Sequence, residues 1–260
     1  MKMNDLLKPE EISVIVGVNP ALYSYQRPER DMLARTIKDA GYTVEETHLA
    51  WPRDHYVMID RKYVIAKNDG VVGEGGGFQV CDEFILVSSS LFRDNRDKFS
   101  VAKDVKKFYP KQRVHVVPAG YDPVKGKRKS YCLEHIDLTC LLVPSKKLLF
   151  VDENFYESIT DFERVAEIEG LTLIPYKPKP DVSYNYFPLN CLVLPSNEDE
   201  ILFANKNTQS LVLLLKEHDL TVVEIDMNLA PRKTEGSIRC CTNVKLKKTP
   251  IKKLLDYNGI

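Results

Sequence analysis

Apolar positions along this chain follow two rhythms. Ile12 to Val18 is a largely apolar stretch closed by Asn19-Pro20, which predicts a buried strand ending in a turn. Met32, Leu33 and Ile37 then recur at helical spacing within Pro28 to Ala40, with Gly41 as a stop, and a short strand is expected near Tyr42 to Glu45. The stretches Tyr56 to Lys67, Val80 to Ser88 and Arg113 to Val117 hold closely spaced, often β-branched residues and read as strands. A helix is expected from Asp97 to Phe108, so the order strand, helix, strand predicts an α/β fold.

The second half repeats itself. Leu138-Thr-Cys-Leu-Leu-Val-Pro-Ser145 matches Leu189-Asn-Cys-Leu-Val-Leu-Pro-Ser196 at an offset of 51 residues (189 minus 138). After a two-residue slip, Lys147 to Asn154 matches Glu200 to Asn207; each copy then enters a helical stretch and ends in a strand, Leu171 to Pro175 or Leu220 to Ile225. Arg61 to Asn68 and Glu83 to Ser89 share the hairpin part. At that period the 260 residues hold about five units. Five strand-strand-helix-strand units would form a ring whose axis gathers one strand end from each. The stretch Asn68 to Glu74 leaves no room for a helix between the first two hairpins, so one unit should be abbreviated.

Composition narrows the class. Lys plus Arg equals 37 and Asp plus Glu equals 37, so no net field favours nucleic acid or an anionic membrane. At 43% hydrophobic and 28% charged, the chain is expected to fold as one domain spanning residues 1–260. No apolar run approaches the roughly 20 residues that span a bilayer, and the first residues lack the apolar core of a secretory signal, so the expected location is the cytoplasm. Six cysteines there read as reduced thiols, with Cys81, Cys132, Cys140 and Cys191 as small core residues. The lysines at 245, 247, 248, 252 and 253 read as a solvated terminal segment.

Four segments depart from ordinary core or turn sequence: Trp51-Pro-Arg-Asp54, Gly73-Glu-Gly-Gly-Gly77, His135-Ile-Asp137 and Ser237-Ile-Arg-Cys-Cys-Thr242. Read as strand, the third puts His135 and Asp137 on one face, an imidazole beside a carboxylate. His48, His55, His115 and His218 show no such partner. The same parity puts Ile238, Cys240 and Thr242 on one side of the fourth segment and Arg239 and Cys241 on the other, so only one thiol should be reactive. The glycine segment lacks the Lys-Ser/Thr pair and the following helix of a phosphate loop; it is expected to take a tight path that leaves Glu74 room to project. Cys132, His135 and Asp137 form no second cluster at metal-ligand spacing, which argues against zinc. Taken alone, Trp51 to Asp54 would be a loop with a surface ion pair.

Taken together and in order, the four segments resemble the pentein, or guanidino-group-modifying, superfamily: arginine and agmatine deiminases, dimethylarginine dimethylaminohydrolases and amidinotransferases. Arg53-Asp54 resembles its Arg-Asp motif, Glu74-Gly75-Gly76 its Glu-Gly-Gly, His135-Ile-Asp137 its His-x-Asp, and Cys240-Cys241-Thr242 its Cys-x-Ser/Thr. The resemblance covers nearly the whole chain and implies a five-bladed pseudo-symmetric α/β propeller of ββαβ units. One departure is that Thr234-Glu235-Gly236 supplies a single glycine before the cysteines, where many members carry two or more.

The resemblance implies a cysteine-dependent hydrolase of arginine or an arginine derivative. Cys240 would be the nucleophile, His135 the acid/base, Glu74 its orienting group, and Asp54 and Asp137 the clamp on the guanidinium. All these groups are side chains, so no cofactor or metal is expected. The partner would be a small guanidino substrate, with neither nucleic acid nor membrane, and a homo-oligomer is compatible with the reading. An amidinotransferase would use the same residues with an amine in place of water. A non-catalytic pentein binding module, as in the ribosome anti-association factors, is the alternative from another class; it predicts loss of the Cys and His that are present here.

Overall fold

The structure, a computed structural model, describes residues 7–18, 27–59, 61–65, 75–89, 98–121, 132–133, 135–177, 187–197, 199–228 and 236–255. Glu74 and the stretch 68–74, where an abbreviated unit was expected, lie outside them, as does the side chain of Cys132. The chain divides into two compact units, one of residues 1–53 with 179–260 and one of residues 54–178.

In chain order the strands and helices are β1 (Ile12–Gly17), α1 (Arg27–Asp39), β2 (Thr43–Thr47), β3 (Tyr56–Ile59), β4 (Lys62–Ile65), β5 (Phe78–Val80), β6 (Phe84–Ser88), α2 (Lys98–Phe108) and β7 (Arg113–Val117). Then come β8 (Gly120–Tyr121), β9 (Cys132–Leu133), β10 (Cys140–Val143), β11 (Leu148–Asp152), α3 (Thr160–Glu169), β12 (Thr172–Tyr176) and β13 (Leu192–Pro195). The last are β14 (Glu200–Asn205), α4 (Gln209–Glu217), β15 (Thr221–Ile225), β16 (Thr242–Leu246) and α5 (Ile251–Leu255). Two expected strands are hairpins: Tyr56 to Lys67 turns at Arg61, where φ is 59°, and Val80 to Ser88 breaks after Val80.

The expected repeat is present as four three-stranded sheets of one topology, an antiparallel pair followed, across a helix, by a parallel strand. Sheets β5-β6-β7, β10-β11-β12 and β13-β14-β15 run consecutively, while in β16-β1-β2 the first strand comes from the far end of the chain. Among the described residues β3-β4 and β8-β9 are two-stranded, and no sheet closes on itself.

Each of the helices α1 to α4 packs on strands of its own sheet. In α1 Leu33, Ala34 and Ile37 are buried, and Gly41 ends the helix at φ 94°, a conformation costly for any residue with a Cβ. Gly170 closes α3 likewise at φ 63°. In the unit of 1–53 and 179–260, one core joins Val14, Val16 and Ile37 to Leu194, Phe203, Ile238 and Cys241. In the unit of 54–178, Val57, Ile85, Val87, Val101 and Val105 pack together. Burying each such branched side chain contributes about 1.5–3 kcal/mol.

The basic tail is not uniformly solvated. Lys245 is buried in β16, its ammonium 2.5 Å from Glu45 Oε1 and donating to the Thr249 carbonyl at 2.9 Å. Lys247, Lys248, Lys252 and Lys253 are exposed. No helix among the described residues is long and apolar enough to cross a membrane.

Candidate functional site

A one-turn 3-10 helix, Pro52–His55, leads into β3 and sets the position of Asp54. Asp54 Oδ1 accepts the main-chain N–H of Gly76 at 3.3 Å and lies 4.0 Å from His135 Nδ1. Both side chains keep 18% of their surface exposed, so this carboxylate and imidazole are within reach of a small molecule. Gly76, in the buried turn Gly75–Gly77, faces the ring: a Cβ there would sit 2.5 Å from His135 Nδ1 and 2.7 Å from its Cγ. The glycine is thus needed for space rather than for a left-handed backbone.

The strand-parity argument for His135 and Asp137 fails. Strand β9 stops at Leu133, His135 is extended, and Ile136–Leu138 form a 3-10 turn. Asp137 therefore lies in that turn and is fully buried, as is Ile136. The glycine turn and this turn pack against each other, which brings Asp54, Gly76 and His135 together.

In the unit of 1–53 and 179–260, the second parity argument fails too. Residues 238–241 form a turn, with Cys241 N–H donating to Ser237 O at 3.2 Å and Thr242 N–H to Arg239 O at 3.1 Å. Ile238 and Cys241, three apart on a helical turn, are buried in the same core rather than on opposite faces. Cys240 is 4% exposed and outside that cluster, so the two thiols do occupy different environments, for a helical rather than a strand reason. Asn190 Oδ1 accepts the N–H groups of Ser237 at 3.2 Å and Cys240 at 3.1 Å, and its carbonyl accepts Arg239 N–H at 3.2 Å.

Gly236 comes close to both Cys240 and Trp51. A Cβ on it would lie 2.9 Å from Trp51 Cζ3 and 3.2 Å from Cys240 Cβ. The Arg30 guanidinium sits 5.0 Å from the centroid of the Trp51 ring and donates to the carbonyls of Gly17 and Ala50. Arg53 is buried, so the segment is not a loop with a surface ion pair. Burial pushes the Cys191 thiol up to about 12, a shift that the Arg239 charge only partly offsets, so Cys191 stays a protonated core thiol. Cys81 is raised to about 12 by burial as well.

Neither a family model nor a curated protein matches the sequence. Solved structures do. The N-terminal domain of the cyanobacterial arginine dihydrolase ArgZ matches at a TM-score of 0.64 and 12% identity, over 90% of this chain and 97% of that one. The amidinotransferase SxtG of Microseira wollei, from saxitoxin biosynthesis, matches at 0.63 and 13%, over 94% and 96%. The agmatine deiminase of C. jejuni matches at 0.59 and 13%, again over 94% and 96%. The chain has the pentein fold.

Three features of this chain have no clear signature in its sequence. Asn190 stands alone in an apolar stretch, and only its repeat position, one before a cysteine as Thr139 is, marks it. The direct approach of Asp54 to His135 joins segments about 80 positions apart and has no local signature. His115, read as partnerless, meets Glu169 of α3 at 2.5 Å, and Arg113 grips the same carboxylate bidentately and holds it below the usual carboxylate range.

Proposed function

We propose that this pentein is an enzyme that hydrolyses a guanidino group, on arginine or an arginine derivative, through a covalent amidino-cysteine intermediate. The observation that carries the reading is the pair Asp54 and His135, held over a glycine that has no room for a side chain. An acid/base imidazole beside a carboxylate that can pair with a planar cation suits guanidinium chemistry. The fold likeness to an arginine dihydrolase, an agmatine deiminase and an amidinotransferase supports it. The proposal includes one domain over residues 1–260, its repeats arranged as a five-bladed propeller with one blade abbreviated.

A guanidinium is resonance-stabilised and a poor electrophile, so its plane must be fixed before attack. Asp54 and Asp137 pair with it. The Cys240 thiolate adds to the central carbon, forming a C–S bond; the C–N bond then breaks as His135 gives its proton to the departing nitrogen, which leaves as ammonia or an amine. His135, now neutral and oriented by Glu74, takes a proton from water as the water oxygen bonds to the same carbon. The C–S bond breaks, the thiolate returns, the hydroxyl gives its remaining proton to solvent or the departed amine, and the product is a ureido compound. If an amine attacked in place of water the enzyme would be an amidinotransferase. Every group named is a side chain, so the reaction is assigned to the protein alone, in the cytoplasm, on a small molecule.

The test is a panel of guanidino compounds, assayed for ureido product and released ammonia or amine, with and without an amine acceptor and with and without chelator. Ureido product that persists in chelator is expected. Product formed only with the acceptor would make the protein a transferase, and no turnover of any guanidine would favour a binding module.

A further inference from the structure

We infer that Asn190 is the positioning residue of the nucleophile: it organises the turn that carries Cys240 and, as a neutral amide, does so without setting a charge against the thiolate. This deepens the proposed chemistry and rests on Cys240 being its nucleophile.

A single helical turn such as Ser237 to Cys241 leaves its first amides without partners inside the turn. Here they are met from outside. Asn190 Oδ1 takes the N–H groups of Ser237 and Cys240 at 3.2 and 3.1 Å, using both lone pairs of one oxygen, and its main-chain carbonyl takes that of Arg239 at 3.2 Å. Three of the turn's amides therefore converge on one residue that is about 50 positions away in sequence and 1% exposed. This is what a capping side chain does at a helix N-terminus, supplied here by another element.

Asn190 is itself held firmly. It ends the turn Phe187 to Asn190, its N–H donating to Phe187 O at 3.0 Å, and it enters the core through Cys191 and β13. Phe187 has φ 46°, a left-handed backbone that a residue with a Cβ adopts only at a cost, so the surrounding fold maintains this turn against local preference. One repeat earlier the equivalent residue is Thr139, whose Oγ1 donates to Ile136 O inside the turn that carries Asp137. The same repeat position thus serves a chemistry-bearing turn twice, within its own repeat at 139 and reaching into the next at 190.

Two consequences for the thiol follow. Fixing the Cys240 N–H fixes the Cα–Cβ direction and so the line along which Sγ can attack, and a misplacement of about 1 Å in such a step can cost on the order of 100-fold. A formal negative charge at this amide would disfavour the thiolate. An amide meets the first demand and avoids the second.

The experiment compares the parent with Asn190→Ala and Asn190→Asp, reading kcat and KM on the guanidine found by the panel, the pH profile of Cys240 alkylation by iodoacetamide, mapped by mass, and thermal melting. Asn190→Ala should lose on the order of 100-fold in kcat with little change in KM. Asn190→Asp keeps the acceptor and should fold, but its alkylation midpoint should move up by about one pH unit or more. A parent-like alkylation profile in the Asp variant, or parent-like kcat in an Ala variant that melts normally, overturns the inference and leaves the nucleophile assignment standing. Full activity in Cys240→Ala overturns the assignment instead. An alkaline shift in Asn190→Asp without turnover of any guanidine supports the positioning role while removing the proposed reaction.

Discussion

Asp152 and Asn205 end the middle strands of successive repeats and make the same two hydrogen bonds. Asp152 Oδ1 accepts the main-chain and side-chain amides of Asn154 at 3.1 and 3.0 Å, and Asn205 Oδ1 accepts those of Asn207 at 3.1 Å each. The remaining atoms differ. Asn205 Nδ2 donates to the Met227 carbonyl at 2.5 Å, whereas Asp152 Oδ2 is buried with no hydrogen-bond partner among the described residues.

Burial accordingly pushes the Asp152 carboxyl up to about 7, and the neighbouring Glu153 charge acts in the same direction. Between the ordinary carboxyl value, about 3.9, and this folded value, the unfolded chain is ionised while the folded one holds its proton. Stability from this group is therefore complete below about pH 4, falls as pH rises to about 7, and is flat above, with a total on the order of 4 kcal/mol at most. Asp152→Asn should remove that slope and raise the melting temperature most at pH 7 to 8. Melting curves from pH 5 to 8 check it, and a constant difference between the two proteins across the series would mean that Asp152 does not titrate there.

Gly76→Ala places a methyl where the His135 ring now lies. Overpacking should cost about 1–3 kcal/mol of stability, and a displaced imidazole should lower kcat on the order of 100-fold. Steady-state kinetics alongside urea unfolding separates the two. A fully active, slightly destabilised variant would show that the ring position is not used.

Asp54→Asn and Asp137→Asn should each weaken guanidinium binding or alignment, since an amide cannot balance the cation and turns N–H donors toward a ligand that only donates. Specificity constants across pH are the readout; near-normal values in both variants would remove the two residues from the site.

Cys240→Ala should abolish turnover with folding intact. Cys241→Ala should retain much of the activity and lose on the order of 1 kcal/mol, because Cys241 fills the core beside Ile238. A haloacetamidine, cationic like the substrate, should alkylate Cys240 faster than a neutral haloacetamide does. Labelling confined to Cys241 would reverse the assignment of the two thiols.

Strands and helices were readable because dense β-branched runs and helical spacing persist over several residues, as at Arg113–Val117 and in α1. The turns at 136–138 and 238–241 were not, since three or four residues are too few for any period to develop, and a strand reading fits them equally well. Strand parity separates the two thiols by the wrong geometry, since Cys241 is buried by following Ile238 by three residues on a helical turn. Lys245 shows a further limit: nothing in a lysine-rich tail distinguishes the one ammonium that Glu45 and the Thr249 carbonyl draw inside. Asp54 and His135 were each singled out, but their meeting depends on Gly76, and the missing side chain says only that space is needed, not by what.

The pairing of β1 with β16 joins strands far apart in sequence, Ile12 facing Leu246. While the chain is being made, β1 can pair with β2, but its other edge stays open until residue 246 has left the ribosome. The turn bearing Cys240 is tied to that late event, because Gly17 N–H donates to Cys241 O at 2.9 Å and Thr242, the next residue, opens β16. A nascent chain stalled before residue 246 would hold Asn190 without the β16 pairing that follows the Cys240 turn. The arrangement keeps the turn around Cys240 from ordering until the strands that bury it are in place.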